Sequence, residues 1–358
     1  MITVLVCYER ISLFHTMEPF FIKKFRRLFY FTQSAEYCLT RDKNSILFME
    51  RRFQYRDPRD LVDGEFDLIK RLRDKYKTIV FLNGQPEAGT NRLDLLPYVD
   101  RLFYKSVFAD LSNYSKDLYA KNLFTDYYHQ KYGIYDKDRE YRYKPAINPE
   151  DTKRIELSWN IGVGDYPRRN WPQRMGTVLA RAGLPDLGRV FKTGHRPPSD
   201  FSGSARTIAV HARIDPVSCE SIAYQRRLYL EKIKDDTRFL TGMVSQDIYY
   251  QELRDAKITL SPFGWGEVCF RDFEAIISGS LLLKPDMSHL KTWPDVYIPY
   301  ETYVPTNWDG TDILEKAEIY LKDDRERRRI AQNAWEQYCD QLCSLEDRFI
   351  SLFKDILV

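Results

Sequence analysis

Two apolar runs, ITVLVC (2–7) and TIVFLN (78–83), restrict the fold more than any other feature of the chain. Both are continuous rather than alternating and are bounded by polar turns, the pattern of strands covered on both faces. Such strands belong to parallel sheets with helices on either side. Helical candidates are PFFIKKFRRLFY (19–30) and DLIKRLRDKY (67–76); further on come the segments VDRLFYKSVF (99–108) and ELSWNI (156–161). A polar, Gly/Pro/Ser-rich break, KTGHRPPSDFSGSAR (192–206), then reads as a linker.

Beyond the break a second alternating series begins. It runs from strand TIAVHARI (207–214) through helix 221–236, strand 237–243 and helix 248–256 to strand KITLSPFG (257–264). Helix EVCFRDFEAIISG (267–279), strand SLLLKP (280–285), a late strand near DVYIPY (295–300) and a long amphipathic helical pattern complete it. At 358 residues the chain exceeds the size at which one hydrophobic core stops growing. The expectation is an α/β protein with two doubly wound, Rossmann-like domains, 1–200 and 201–358, facing each other across a cleft. Ligands of such sheets bind at the carboxyl ends of the strands.

Basic and acidic side chains nearly balance, 55 against 52, which argues against a nucleic-acid partner held by phosphate-backbone contacts. Two runs are locally basic, Lys23-Lys24 with Arg26-Arg27 and Arg325 to Arg329. Each reads as a solvated helix face or as a contact for anionic membrane headgroups. Six scattered cysteines, with only Cys339 and Cys343 close together, make neither a disulfide framework nor a zinc site and fit a reducing cytosol. No apolar run approaches the roughly 20 residues of a membrane span. A cytoplasmic protein, peripheral at a membrane at most, is expected.

The stretch SPFGWGEVCFRDFEAIISGS (261–280) carries the chemistry. Its strand delivers Gly264, Trp265 and Gly266 to the sheet edge, and a helix is expected to open near Glu267. The first turn of a helix presents free N–H groups and the positive end of its dipole, so a diphosphate can sit there if glycines permit close approach. Arg271 and Glu274, three apart, share a helix face, with Glu267 one turn earlier. An arginine offsets phosphate charge, and a carboxylate can accept two hydrogen bonds from a ribose diol. Gly279 would end the helix. Arg213, at the end of the 207–214 strand, and Arg226 and Arg227 in the next helix are further candidates for the same cleft. The alternative for all of them is an ordinary βαβ unit with surface ion pairs.

Segment 261–286, with its R-x-x-E-A-x-x-x-G run and the hydrophobic strand after it, resembles the donor-binding motif of GT-B glycosyltransferases of the group 1-like and exostosin-like kind. The resemblance implies transfer of a sugar from a nucleotide-diphosphate sugar to a glycan or lipid-linked saccharide. Glu274 would bind the ribose, and the helix start and basic residues the diphosphate. The terminal helix would pack back on the first domain. The retaining subset often has seven residues between two glutamates, whereas Glu267 and Glu274 enclose six, so a retaining mechanism is not implied. Residues 81–106 and 123–128 are similar to segments of bacterial polysaccharide glycosyltransferases. Such relatives tend to have acidic residues where this chain has Asn83-Gly84, leaving Glu87 as the nearest carboxylate and the expected catalytic base. GT-B relatives hold the diphosphate with helix dipoles and basic side chains rather than with an acidic D-x-D triplet and a divalent ion, so no metal is expected. The glycine-rich loop WNIGVGDYPRR (159–169), with Asp165, would border the cleft.

Other readings stay open. The His211, Arg213, Asp215 pattern is similar to the GDP-fucose motif of certain fucosyltransferases. A carbohydrate-binding or scaffold protein of the same fold would have lost its donor contacts. A nicotinamide-dependent dehydrogenase would need G-x-G-x-x-G after an early strand, and ITVLVCYERIS has no glycine.

Overall fold

The computed structural model describes residues 1–50, 64–89, 92–136, 149–193 and 206–357. Six strands, β1 (Ile2–Leu5), β2 (Phe29–Thr32), β3 (Ile46–Glu50), β4 (Thr78–Asn83), β5 (Arg101–Tyr104) and β7 (Ile155–Leu157), form a parallel sheet in the order β2-β1-β3-β4-β5-β7. Five more, β8 (Ile208–His211), β9 (Phe239–Leu240), β10 (Ala256–Leu260), β11 (Leu281–Pro285) and β13 (Val304–Thr306), form a second parallel sheet ordered β13-β11-β10-β8-β9. A two-stranded antiparallel ribbon of β6 (Ser106–Phe108) and β12 (Leu290–Thr292) ties the two halves together. Most of the break at 192–206 lies outside the described residues.

Side chains alternate across these strands and feed a core layer on each face. In β4, Ile79 and Phe81 join one layer with α1 (Ala35–Thr40) and α2 (Gly64–Lys75), while Val80 and Leu82 join the other. Phe349 and Phe353 of α11 (Leu345–Leu357) pack into that second layer, so the last helix lies on the first sheet. Around the second sheet, α6 (Glu220–Ile233) and α9 (Ile313–Lys322) cover one face. On the other lie α3 (Leu123–Tyr132), α8 (Phe270–Ile277) and α10 (Asp324–Cys343). The remaining helices are α4 (Trp171–Arg181), α5 (Pro185–Gly188) and α7 (Gln246–Asp255).

Two expected elements differ. Residues 19–30 form short turns and then β2, not a helix. Phe20, Phe25 and Phe29 all reach Phe349, with ring centroids 5.1, 5.1 and 6.1 Å away. On a helix the second and third would point roughly 140° and 180° from the first, so tertiary packing overrides the local pattern. Residues 295–300 form a loop rather than a strand. Thr302 Oγ1 donates to the Val296 carbonyl at 2.7 Å and accepts the Ile298 N–H at 2.9 Å, and the last sheet position falls to β13.

Candidate donor site

The helix expected from Glu267 begins at Phe270, because its start is fixed by Asp272. The Asp272 carboxylate accepts the Cys269 N–H at 2.9 Å, closing a capping box three residues before it. The same carboxylate accepts from Ser261 Oγ (2.6 Å) and the Tyr297 hydroxyl (2.7 Å) and pairs with Lys284 Nζ (3.1 Å), all buried. Breaking such a buried pair costs about 3–5 kcal/mol. The amino end of α8 is thereby fixed to the carboxyl ends of β10 and β11. Sequence reading missed Asp272 and Lys284, although an acidic residue at the third helical position is a legible capping signal. Gly279, with φ of 70°, follows the helix in the left-handed conformation expected of a C-terminal stop.

Arg213, Arg226, Gly264, Arg271 and Glu274 line one cavity of about 310 Å³ at this helix start, together with Asp215 and Tyr249. That volume is at the scale of small-molecule sites. Arg226 donates from Nε to the Phe263 carbonyl and from Nη1 to that of Asp215, both at 3.1 Å. Arg271 donates from Nη2 to the Arg213 carbonyl at 2.9 Å, while its buried Nε has no acceptor. Among the described residues neither guanidinium is ion-paired, and each lowers the pKa of the neighbouring Cys269 thiol, which burial raises. Two cations without an ion-pair partner at a helix amino end, with Glu274 and Asp215 only nearby, make an anion site.

Arg213 behaves differently. Its Nε and Nη2 grip Glu252 at 2.8 and 2.5 Å, and Nη1 donates to the Thr241 carbonyl, so its charge is already offset. His211 is fully buried, its ring nitrogens without hydrogen bonds, and burial lowers its pKa to about 4. It is a neutral core residue rather than a participant. Arg227 pairs with Glu220 and does not line the cavity.

Glu274 accepts the hydroxyls of Tyr249 (2.9 Å) and Tyr250 (2.8 Å), one on each oxygen. Burial raises its pKa despite these bonds and nearby Arg271. The two tyrosines were not singled out in the sequence; both precede Glu252 on α7 and form no recognisable motif.

The other expected residues lie outside the cavity. Trp265 is 55% exposed at the loop tip. Glu267 is not on the α8 face but buried between the halves: Oε2 accepts the Ala88 N–H at 3.4 Å, and Oε1 lies 3.6 Å from His289 Nε2. Gly266 explains why. A Cβ there would fall 2.2 Å from the Pro86 carbonyl oxygen, so this loop presses on the loop after β4 with bare backbone and turns Glu267 into the seam. Glu87 sits in that facing loop, half-buried, its backbone N 2.6 Å from the same Cβ position, and Lys121, whose pKa burial lowers to about 8, feels its charge.

The first half also contributes a cation that the sequence did not reveal. Arg10, just after β1, holds its guanidinium 5.9 Å from the Phe270 ring centroid. Burial lowers its pKa, and its charge is felt by Tyr250, Arg174 and Glu274. In the 159–169 loop, Asp165 is buried and accepts the backbone N–H and hydroxyl of Thr193, a structural role. The D-x-D spacing does occur once, at Asp136-Lys137-Asp138. Asp136 there accepts the Ser221 N–H at 3.0 Å, and the other two lie outside the described residues. No three His, Cys, Asp or Glu side chains among the described residues gather as metal ligands.

Residues 223–348 match a family model described as glycosyl transferase-like. A comparison with curated proteins finds no match. Among solved structures, an α-glucosyltransferase (AGT) in complex with UDP aligns with a TM-score of 0.50 at 10% identity, over 99% of this chain and 98% of that one. Anabaena HepE in complex with UDP aligns at 0.49 and 8%, over 99% and 100%. A UDP-forming α,α-trehalose-phosphate synthase from Burkholderia vietnamiensis aligns at 0.45 and 11%, over 98% and 83%. At 10% identity the likeness to the α-glucosyltransferase speaks for the fold alone.

Proposed function

We propose that this protein, of the GT-B fold, is a glycosyltransferase that moves a sugar from a nucleotide-diphosphate sugar to a glycan or lipid-linked saccharide without a metal ion. The observation that carries the donor reading is the pairing of two guanidiniums lacking carboxylate partners with a helix amino end on one wall of a cavity that also holds Glu274. The diphosphate lies against α8, Arg226 and Arg271. Glu274, held by its two tyrosines, accepts the ribose hydroxyls. Arg10 reaches the same charge from the first half.

In transfer, the bond from the sugar C1 to the diphosphate oxygen breaks and a bond from C1 to the acceptor oxygen forms. The cations stabilise charge developing on the departing diphosphate, the role that a metal fills elsewhere. The acceptor hydroxyl gives up its proton to a carboxylate of the first half, for which Glu87 is the candidate. The α-glucosyltransferase that shares the fold was solved with UDP, which makes UDP the first nucleotide to try. Asp215 also lines the cavity, so GDP-sugars form the second reading. The six cysteines form no disulfide with one another, which suits a reducing compartment.

The test is release of nucleoside diphosphate from UDP- and GDP-sugars in EDTA, for the wild type and Glu274→Gln. Turnover of one donor, lost in the variant, supports the reading. Turnover only with added divalent ion would overturn its metal-free part. Unchanged turnover in the variant would overturn the placement of the ribose.

A further inference from the structure

Helix α4 and the turn after it carry a run of exposed apolar side chains. Trp171, Met175 and Val178, at helical spacings of four and three, are 59%, 47% and 58% exposed, and Leu184, Leu187 and Val190 continue the face at 47%, 53% and 75%. The opposite side of α4, with Gln173, Gly176, Thr177 and Ala180, is buried. Two helix faces are therefore apolar or packed, and the outward one lacks the polar residues that water would favour.

Charge says what covers it. Residues 166–193 contain six basic side chains and one acidic one, Asp186, in a chain whose total is 55 against 52. Asp186 is taken by Arg26, and Arg169, Arg189 and Lys192 pair with Asp247 and Glu18. Arg168, Arg174 and Arg181 are exposed and, among the described residues, not ion-paired. Arg168 faces Arg254 of α7, whose pKa is lowered by burial and by that neighbouring charge. An aromatic and aliphatic strip rimmed by uncompensated arginines complements an anionic lipid surface: the apolar side chains enter the acyl boundary and the guanidiniums meet the headgroups.

The two basic runs of the sequence are poorer candidates. Lys24 pairs with Glu346 and Arg26 with Asp186, while Arg327, Arg328 and Arg329 pair with Asp324, Glu301 and Glu326. Among the described residues no helix is long and apolar enough to cross a membrane, so contact would be peripheral.

We propose that the α4–α5 face docks the protein on an anionic bilayer through Trp171, Met175 and Val178, with Arg168 and Arg174 on the headgroups. Arg169 joins α4 to Asp247 at the start of α7, and α7 supplies Tyr249 to the donor cavity, so the docked face lies beside the mouth of the cleft. The inference rests on this surface alone and stands whichever nucleotide is used.

The experiment is co-sedimentation of the full chain with vesicles of phosphatidylcholine, with and without phosphatidylglycerol. Binding is expected to the anionic vesicles and to weaken with salt. Each arginine near such a surface is worth about fivefold in affinity, so Arg168→Gln with Arg174→Gln should weaken binding about 25-fold. Trp171→Ala with Val178→Ser should lose it on anionic vesicles too, while both variants keep wild-type melting temperature and nucleotide affinity. Equal binding to neutral vesicles, or variants that bind as the wild type does, would overturn the proposal. So would absence of vesicle binding, including the case where sedimentation equilibrium shows a self-association that Trp171→Ala with Val178→Ser abolishes, which would assign the face to a second copy.

Discussion

Replacing Arg271 by glutamine separates binding from folding in a way that an ordinary structural arginine would not. In the free protein Arg271 has one backbone hydrogen bond, a buried Nε without an acceptor, Arg226 as a like-charged neighbour, and Tyr249 and Glu274 as neighbours that favour its charge. Removing its charge therefore relieves repulsion and desolvation but sacrifices one bond and the attraction of Glu274, opposing effects that leave unfolding free energy changed by about 1 kcal/mol. With donor bound the position changes character. A charge-assisted hydrogen bond to phosphate contributes about 1.5–3 kcal/mol, so affinity for the nucleoside diphosphate should fall about 10- to 150-fold. Arg213→Gln is the control: it breaks a two-pronged, largely buried pair with Glu252 and should cost the fold about 2–3 kcal/mol with much less effect on binding. Urea unfolding and calorimetric titration of both variants measure all four quantities. Loss of stability in Arg271→Gln with unchanged affinity would show that Arg271 is structural and refute the reasoning.

Three further outcomes follow from the same contacts. Because burial raises the Glu274 pKa, its charge costs stability as pH rises through that value; Glu274→Gln should stabilise the free protein at neutral pH while weakening donor binding about tenfold, and wild-type binding should fade on acidification at a higher pH than an ordinary glutamate would give. Burial lowers His15 to about 3 and His211 to about 4, so both are neutral when folded and charge on unfolding below about 6.5. Stability should fall by about 2 kcal/mol per histidine between pH 6.5 and 5, and His211→Leu should halve that slope in urea titrations. Gly266→Ala would place a Cβ 2.2 Å from the Pro86 oxygen, prising the loops apart; kcat should drop with nucleotide affinity kept, since the cavity lies wholly in the second half.

Strands such as 78–83 were legible to the residue, because burial on both faces leaves a continuous apolar run that little else produces. Gly264, Arg271 and Glu274 could be expected in one place because a strand, a glycine loop and a helix carry them over a short stretch of chain, and Arg226 of α6 lines the same cavity. What stayed hidden depends on distant partners. The neutralisation of Arg213 needs Glu252, 39 residues away, and the burial of Glu267 needs the loop after β4, 179 residues away at Ala88. Arg10 reads in sequence as one charge after a strand, and only the closure of the two halves puts it beside Phe270. The 19–30 segment failed for the same reason, its aromatics being drawn to Phe349 at the other end of the chain.

Calorimetric titration of the wild type with UDP, GDP and CDP in EDTA tests the central claim most directly. One of them should bind without metal, and Arg271→Gln and Glu274→Gln should each weaken that binding. No binding by any of the three, or binding that needs a divalent ion and ignores both substitutions, would contradict it.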